Sequence, residues 1–127
     1  MAGRIYEGFV PGRHQIDAYG NGGFRFADMS HRGSILALPS GIRAWDVAAP
    51  EGFSLEAFAP VFADGEGVEI LLVGTGRDVA RFPADLRRRF REAGIGLDVM
   101  QTGAAARTYN VLVAENRRVG AALIAVD

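Results

Sequence analysis

The sequence has no cysteine and, although 14 of its 127 residues are basic, no lysine. The first absence excludes disulfides, thiolate metal sites and a cysteine nucleophile, and it fits a reducing compartment without requiring one. The second excludes a Walker-type loop, whose lysine reaches the terminal phosphates. Histidine is scarce too, and His14 and His31 do not stand in a metal-ligand spacing such as two histidines four apart on a helix. An excess of one charge is also missing. The 14 arginines face 15 acids, a formal net charge of -1, so nothing pulls the whole chain towards nucleic acid or anionic lipid. The longest apolar run, residues 119–126, falls far short of the ~20 residues a bilayer-spanning helix needs. Residues 1–10 carry no apolar core behind a basic start, so neither a secretory signal nor a presequence is expected there. At this length one domain, residues 1–127, buries about two thirds of the surface of its unfolded chain without a covalent staple.

What is present is a row of short strands followed by a strand-helix alternation. Residues 5–10 form an apolar segment closed by Pro11-Gly12, a turn signal. Alternation over residues 14–19 and 24–26, on either side of Gly20-Asn-Gly-Gly23, predicts a hairpin. Residues 34–38 read as a buried strand and residues 42–45 as an alternating one. Ser54 can cap a short helix bearing Leu55, Phe58, Ala59 and Phe62, which should end or distort near Pro60. A strand over 68–73 runs into Gly74-Thr75-Gly76, a helix follows over 84–93 with Gly94 as its stop, and residues 97–100 return as a strand. Thr102 is then expected to cap a helix from Gly103 to about Glu115 before residues 119–126 close the sheet. Both strands of this closing strand-helix-strand unit are nearly all apolar, which predicts that the unit forms the middle of a sheet covered on both faces. The fold class that follows is α/β: a central mixed sheet with helices on its faces and a small antiparallel subsheet.

Chemistry-bearing groups are few. Gly74-Thr75-Gly76 follows a buried strand as a nucleotide loop would, but a dinucleotide fingerprint needs a third glycine and an immediate helix, so the plainer reading is a tight turn. Loops after neighbouring parallel strands open on the same edge, which would set this turn beside Gln101 to Gly103. Thr75, Gly76, Thr102 and Gly103 would then surround a small anion crevice at a helix start, with Arg107 as clamp; the alternative is that Thr102 only caps its helix. Arg107 and Asn110 share a helix face among alanines, as a partner contact or as a solvated stripe. Arg87-Arg-Arg89 and Arg91 are offset by Asp85 and Glu92 as helical charge pairs, which speaks against a nucleic-acid site. Asp28, His31, Ser34 and Ser40 are ingredients of hydrolysis without its arrangement, since no Gly-x-Ser-x-Gly elbow occurs. With no carboxylate pair, metal set or activated nucleophile, no general base can be named, so the sequence points away from an enzyme and implies no cofactor and no metal.

One stretch carries more. Thr102-Gly-Ala-Ala105, Arg107-Thr-Tyr-Asn-Val-Leu112 and Glu115-Asn-Arg-Arg-Val119 resemble the signature of the Mth938-like (DUF498) domain, and His31-Arg-Gly-Ser34 and Pro39-Ser-Gly41 with Trp45 match what that family carries earlier in its chain. The similarity runs from about Ile16 to Val126. Most relatives have cysteine where this chain has Ala106, which argues against a general thiol role at that position. The resemblance implies a layered α/β fold with a central mixed sheet. It also implies a non-enzymatic, protein-contacting role like that of the mitochondrial complex I assembly factors, matrix proteins held at the inner membrane by partners. For a bacterial chain the corresponding place is the cytoplasm or the inner face of the membrane, with peripheral association through partners. The expected contact surface comprises Arg107, Asn110 and Arg117, or exposed aromatics such as Tyr19 and Trp45. A small-molecule binding protein or enzyme using the crevice at Gly74–Gly76 and 101–103 is the alternative.

Overall fold

The computed structural model describes residues 8–127, so the apolar segment expected over 5–10 is seen only from Gly8, and the reading of the extreme amino terminus lies outside the described residues. Among the described residues nine strands form two sheets: β1 (Phe9–Pro11), β2 (Ala18–Gly20), β3 (Gly23–Phe26), β4 (Met29–Arg32), β5 (Ser34–Leu38), β6 (Gly41–Trp45), β7 (Ile70–Gly74), β8 (Gly96–Met100) and β9 (Val119–Leu123). The helices are α1 (Ala59–Ala63), α2 (Ala84–Glu92) and α3 (Thr102–Ala114), with a 3-10 turn at Pro50–Gly52. The larger sheet has the order β1-β6-β5-β9-β7-β8 and the smaller β2-β3-β4. Pairing is antiparallel from β1 to β9 and parallel for β9 with β7 and β7 with β8, so the sheet is mixed as the fold class requires.

The central strands show why they are apolar throughout. On β5, Leu36 and Leu38 join one core while Ile35 and Ala37 join the other; on β7, Leu71 and Val73 oppose Ile70 and Leu72 in the same way. Successive residues of a strand point to opposite faces, so both faces of the sheet are covered. One cover is aromatic. Phe58, from the 50–62 segment, is ringed by Trp45, Phe53, Phe82 and Phe90, the last two from the approach to and body of α2. The other consists of α3, through Ala105, Ala106 and Tyr109, and of the smaller sheet, through Phe24 and Phe26.

Three expectations need correction. The closing unit is only half central: β9 lies between β5 and β7, whereas β8 is an edge strand among the described residues, with Gly96 and Asp98 exposed. Leu97, Val99 and Met100 are covered from the faces, which apolar sequence cannot distinguish from central placement. Pro60 begins α1 rather than ending it. Ser54 Oγ accepts from Ala57 N at 3.0 Å in a preceding turn, and the proline then sits in the first helical turn, where its missing N–H costs nothing. The hairpin arm is shorter than its alternation, because residues 14–17 run along α3 and pairing starts at Ala18. A third strand, β4, extends this sheet beyond the expected hairpin.

The hairpin closes through Asn21 and Gly22, both with positive φ (53° and 80°), the conformation that asparagine and glycine tolerate in a two-residue turn. Tyr109 anchors the other side of this segment by donating its hydroxyl to His14 O at 3.1 Å. The side chain is 1% exposed, and burial pushes its pKa up to about 12, partly offset by the Arg13 charge. Folding therefore favours the neutral phenol. Its contribution is complete below the unfolded value of about 10 and should fall by roughly 2 kcal/mol as pH rises from 10 to 12, the rest of it being lost above the folded value. No lysine titrates in that window, so urea midpoints should drop steeply there in the native chain and much less in Tyr109→Phe.

Candidate functional site

The turns after β7 and β8 meet where α3 begins, and their polar groups engage one another. Thr75 N donates to Met100 O at 2.9 Å, and Thr75 Oγ1 donates to Asp78 O at 2.7 Å while accepting from Ala80 N at 3.0 Å. Thr102 N donates to Gly76 O at 2.9 Å, and Gly76 N donates back to Thr102 Oγ1 at 3.0 Å. The Thr102 hydroxyl donates in turn to Ile124 O at 2.7 Å, tying α3 to the end of β9. Thr75 is 4% exposed and Thr102 is fully buried.

Thr102 therefore does not cap its helix. The N-cap is Gln101, with extended backbone and no side-chain cap bond, and Thr102 is the first helical residue. Its own N–H is satisfied by Gly76, which frees the hydroxyl to join two loops. As an anion crevice the place is constricted: both threonine hydroxyls and the Gly76 N–H already have partners, and the Tyr19 hydroxyl stands over Gly103 where a Cβ would lie. Arg107, exposed, donates from Nη1 to Tyr19 Oη at 3.4 Å.

Asn110, expected to share an open stripe with Arg107, has turned inward as well. Asn110 Nδ2 donates to Ile16 O at 2.8 Å and Oδ1 accepts from Ile16 N at 2.7 Å, a two-point clamp on the backbone that leads into β2. Asn110 is thus a tether for the chain's own segment, not an open contact. Asn110→Ala should cost about 2–3 kcal/mol, because both Ile16 groups lose a partner in a partly buried place; amide exchange at Ile16 should quicken while the larger sheet stays protected. Arg117 forms a fork with Glu69 (Nε to Oε1 3.3 Å, Nη2 to Oε2 3.0 Å), which holds the Glu69 carboxyl below its ordinary range. Trp45 is 8% exposed and donates from Nε1 to Ala57 O at 2.8 Å. It belongs to the aromatic core, so among the two aromatics expected on the surface only Tyr19 is there, at 41% exposure.

The hydrolytic ingredients are dispersed. His31 Nε2 lies 3.1 Å from Ser34 O, Ser34 Oγ accepts from Ala125 N at 3.0 Å, and Ser40 donates to the Asp64 carboxylate. On α2 the salt bridge is Arg88 with Asp85, at 2.9 Å and three residues apart, rather than the four-residue pairs expected. Among the described residues no group of three histidine or acidic side chains gathers as metal ligands, and no helix is long and apolar enough to cross a membrane.

The outer face of α3 keeps an exposed line, Arg107, Val111 and Ala114, with Val111 56% exposed. The sequence reading also missed a concave outer face on the smaller sheet. It carries Arg25, Ser30 and Arg32, whose alternation with Phe24, Phe26, Met29 and His31 was the available signal.

Comparison with known proteins gives the chain its setting. An uncharacterised protein of Rhodobacter capsulatus is 40% identical over 109 residues, 86% of this chain and 82% of that one. The NADH dehydrogenase [ubiquinone] 1 alpha subcomplex assembly factor 3 of Xenopus tropicalis is 32% identical over 109 residues, again 86% of this chain, which spans only 60% of the length of that relative. Among solved structures, an outer membrane protein from Bartonella henselae superposes with a TM-score of 0.87 at 53% identity, covering 92% of this chain and 98% of that one. A Bordetella pertussis protein described as a Mth938-like domain gives 0.76 at 30% identity over 88% and 85% of the two chains. The family described as a protein of unknown function (DUF498/DUF598) matches residues 16–124, from the tethered Ile16 to the Ile124 carbonyl that Thr102 holds. With that match taking in the smaller sheet, every strand of the larger one except β1 and each helix among the described residues, the chain belongs to the DUF498/DUF598 family and has its Mth938-like α/β fold.

Proposed function

We propose that residues 1–127 form a single domain that works through protein contacts, as an assembly-factor-like module for a complex I-type NADH dehydrogenase, and not by catalysing a reaction. The observation that carries this reading is the similarity to the assembly factor over 109 residues. The interior supports it chemically: the polar groups at the helix start are engaged with one another, so none is poised as nucleophile or base. With Trp45 and Asn110 turned inward, the contact surface is redrawn on the outer line of α3, Arg107 and Val111, continuing to Arg117. Membrane association, in this reading, is peripheral and goes through the protein partner.

The test is affinity capture of the tagged chain from native cells, with and without detergent. NADH dehydrogenase subunits should co-purify, and Val111→Asp, a change at an exposed position in the last turn of α3 where the helix dipole makes an acid cost only about 0.3–1 kcal/mol, should lower their recovery at least several-fold. A chain recovered alone under both conditions contradicts the reading.

A further inference from the structure

The smaller sheet separates its side chains by alternation. Phe24 stands opposite Tyr19 and His31, and Phe26 opposite Met29, on the face that supplies the buried phenylalanines; Arg25 with Ser30, and Arg32, fall on the other. Arg32 pairs with Gly23, and Gly23 with Gly20, so the ground beside Arg32 bears no side chain. At Gly23 none can be added, because the His31 carbonyl occupies the place of a Cβ. The result is a cleft of about 450 Å³ whose lining includes both arginines and no carboxylate.

Arg25 and Arg32 are diagonal cross-strand neighbours, roughly 7–8 Å apart at the backbone, where two like charges repel unless something lies between them. Among the described residues neither of these guanidiniums has an ion-pair or hydrogen-bond partner; Arg77, Arg81, Arg89 and Arg91 have none either, and what sets Arg25 and Arg32 apart is the cleft they share. A planar guanidinium presents a fork of donors matched to the oxygens of a tetrahedral anion, and two forks at this separation can share one. We propose that this cleft binds a phosphate group, clamped between Arg25 and Arg32 above the floor of Gly20 and Gly23, with the Ser30 hydroxyl as a third donor. The group is carried by a soluble phosphate or by a phosphomonoester lipid headgroup. The proposal is independent of the assembly reading.

The test uses the full chain, labelled with nitrogen-15 and titrated with inorganic phosphate at constant ionic strength. Saturable shifts should be confined to the 20–25 and 30–32 amides and the Arg25 and Arg32 side-chain N–H signals. Arg25→Gln and Arg32→Gln, with otherwise unchanged spectra, should weaken the midpoint at least tenfold, and Arg88→Gln should leave it unchanged. In parallel, the chain is sedimented with vesicles of phosphatidylcholine alone or with phosphatidic acid. Arginine-dependent sedimentation with phosphatidic acid identifies a lipid source, and phosphate shifts without sedimentation identify a soluble one. Absence of both, or equal weakening in Arg88→Gln, overturns the proposal.

Discussion

Thr102→Val should destabilise the fold by roughly 2–5 kcal/mol, although the two side chains have nearly the same shape. The Thr102 hydroxyl is at once the acceptor for Gly76 N–H and the donor to Ile124 O, in a place with no exposure. Valine leaves one buried donor and one buried acceptor without partners, each costing about 1–3 kcal/mol. The control is Thr102→Ser, which keeps both hydrogen bonds and removes only a methyl, a change worth about 1 kcal/mol. In urea the valine variant should lose midpoint with an unchanged slope, while serine stays close to the native chain. A valine variant within 1 kcal/mol of the native protein would mean that the hydroxyl does not fasten α3 to β7 and β9.

Phe58→Ala should cost about 3–5 kcal/mol and lower the melting temperature by on the order of 10 °C. Phe58 is fully buried, with ring centroids of Trp45, Phe53, Phe82 and Phe90 at 5.4, 5.5, 5.6 and 5.5 Å. Removing it loses both its transfer free energy and the filling of a space bounded by rings from three segments, which cannot collapse together. Trp45 is the single tryptophan, so its emission reports the change directly. Phe58→Leu, which keeps most of the volume, should cost less than half as much.

These two positions show how far residue patterns carry. The apolar runs at 34–38, 70–73 and 119–123 name the strands covered on both faces, and the α3 block, through its alanines and Tyr109, names the helix packed on them. The strand β4 was hidden, because its alternation covers only four residues, Met-Ser-His-Arg, and its turn uses Ala27 and Asp28 at φ 52° and 61°, without the glycine that usually marks left-handed backbone. That omission concealed the arginine cleft, which exists only once β4 lies beside β3.

The candidate crevice was legible in position and not in state. Topology brings the turns of Thr75 and Thr102 together, but whether a hydroxyl faces a ligand or a neighbouring carbonyl depends on loop paths that periodicity does not encode. The same holds for Asn110: helical spacing puts it beside Arg107, and only the return of residues 14–17 along α3 turns it into a clamp. Trp45 alternates along its strand as a surface residue would, yet the 53–58 segment folds over it. In each case a distant segment covers what local pattern leaves open.

The assembly reading is tested most directly by native-gel profiling of complex I in cells from which this chain has been deleted. The account predicts that the mature NADH dehydrogenase falls to a small fraction of its normal amount, that a subassembly accumulates, and that the wild-type chain restores it while Val111→Asp does so poorly. Undiminished mature enzyme in the deleted cells, with no subassembly, would contradict it.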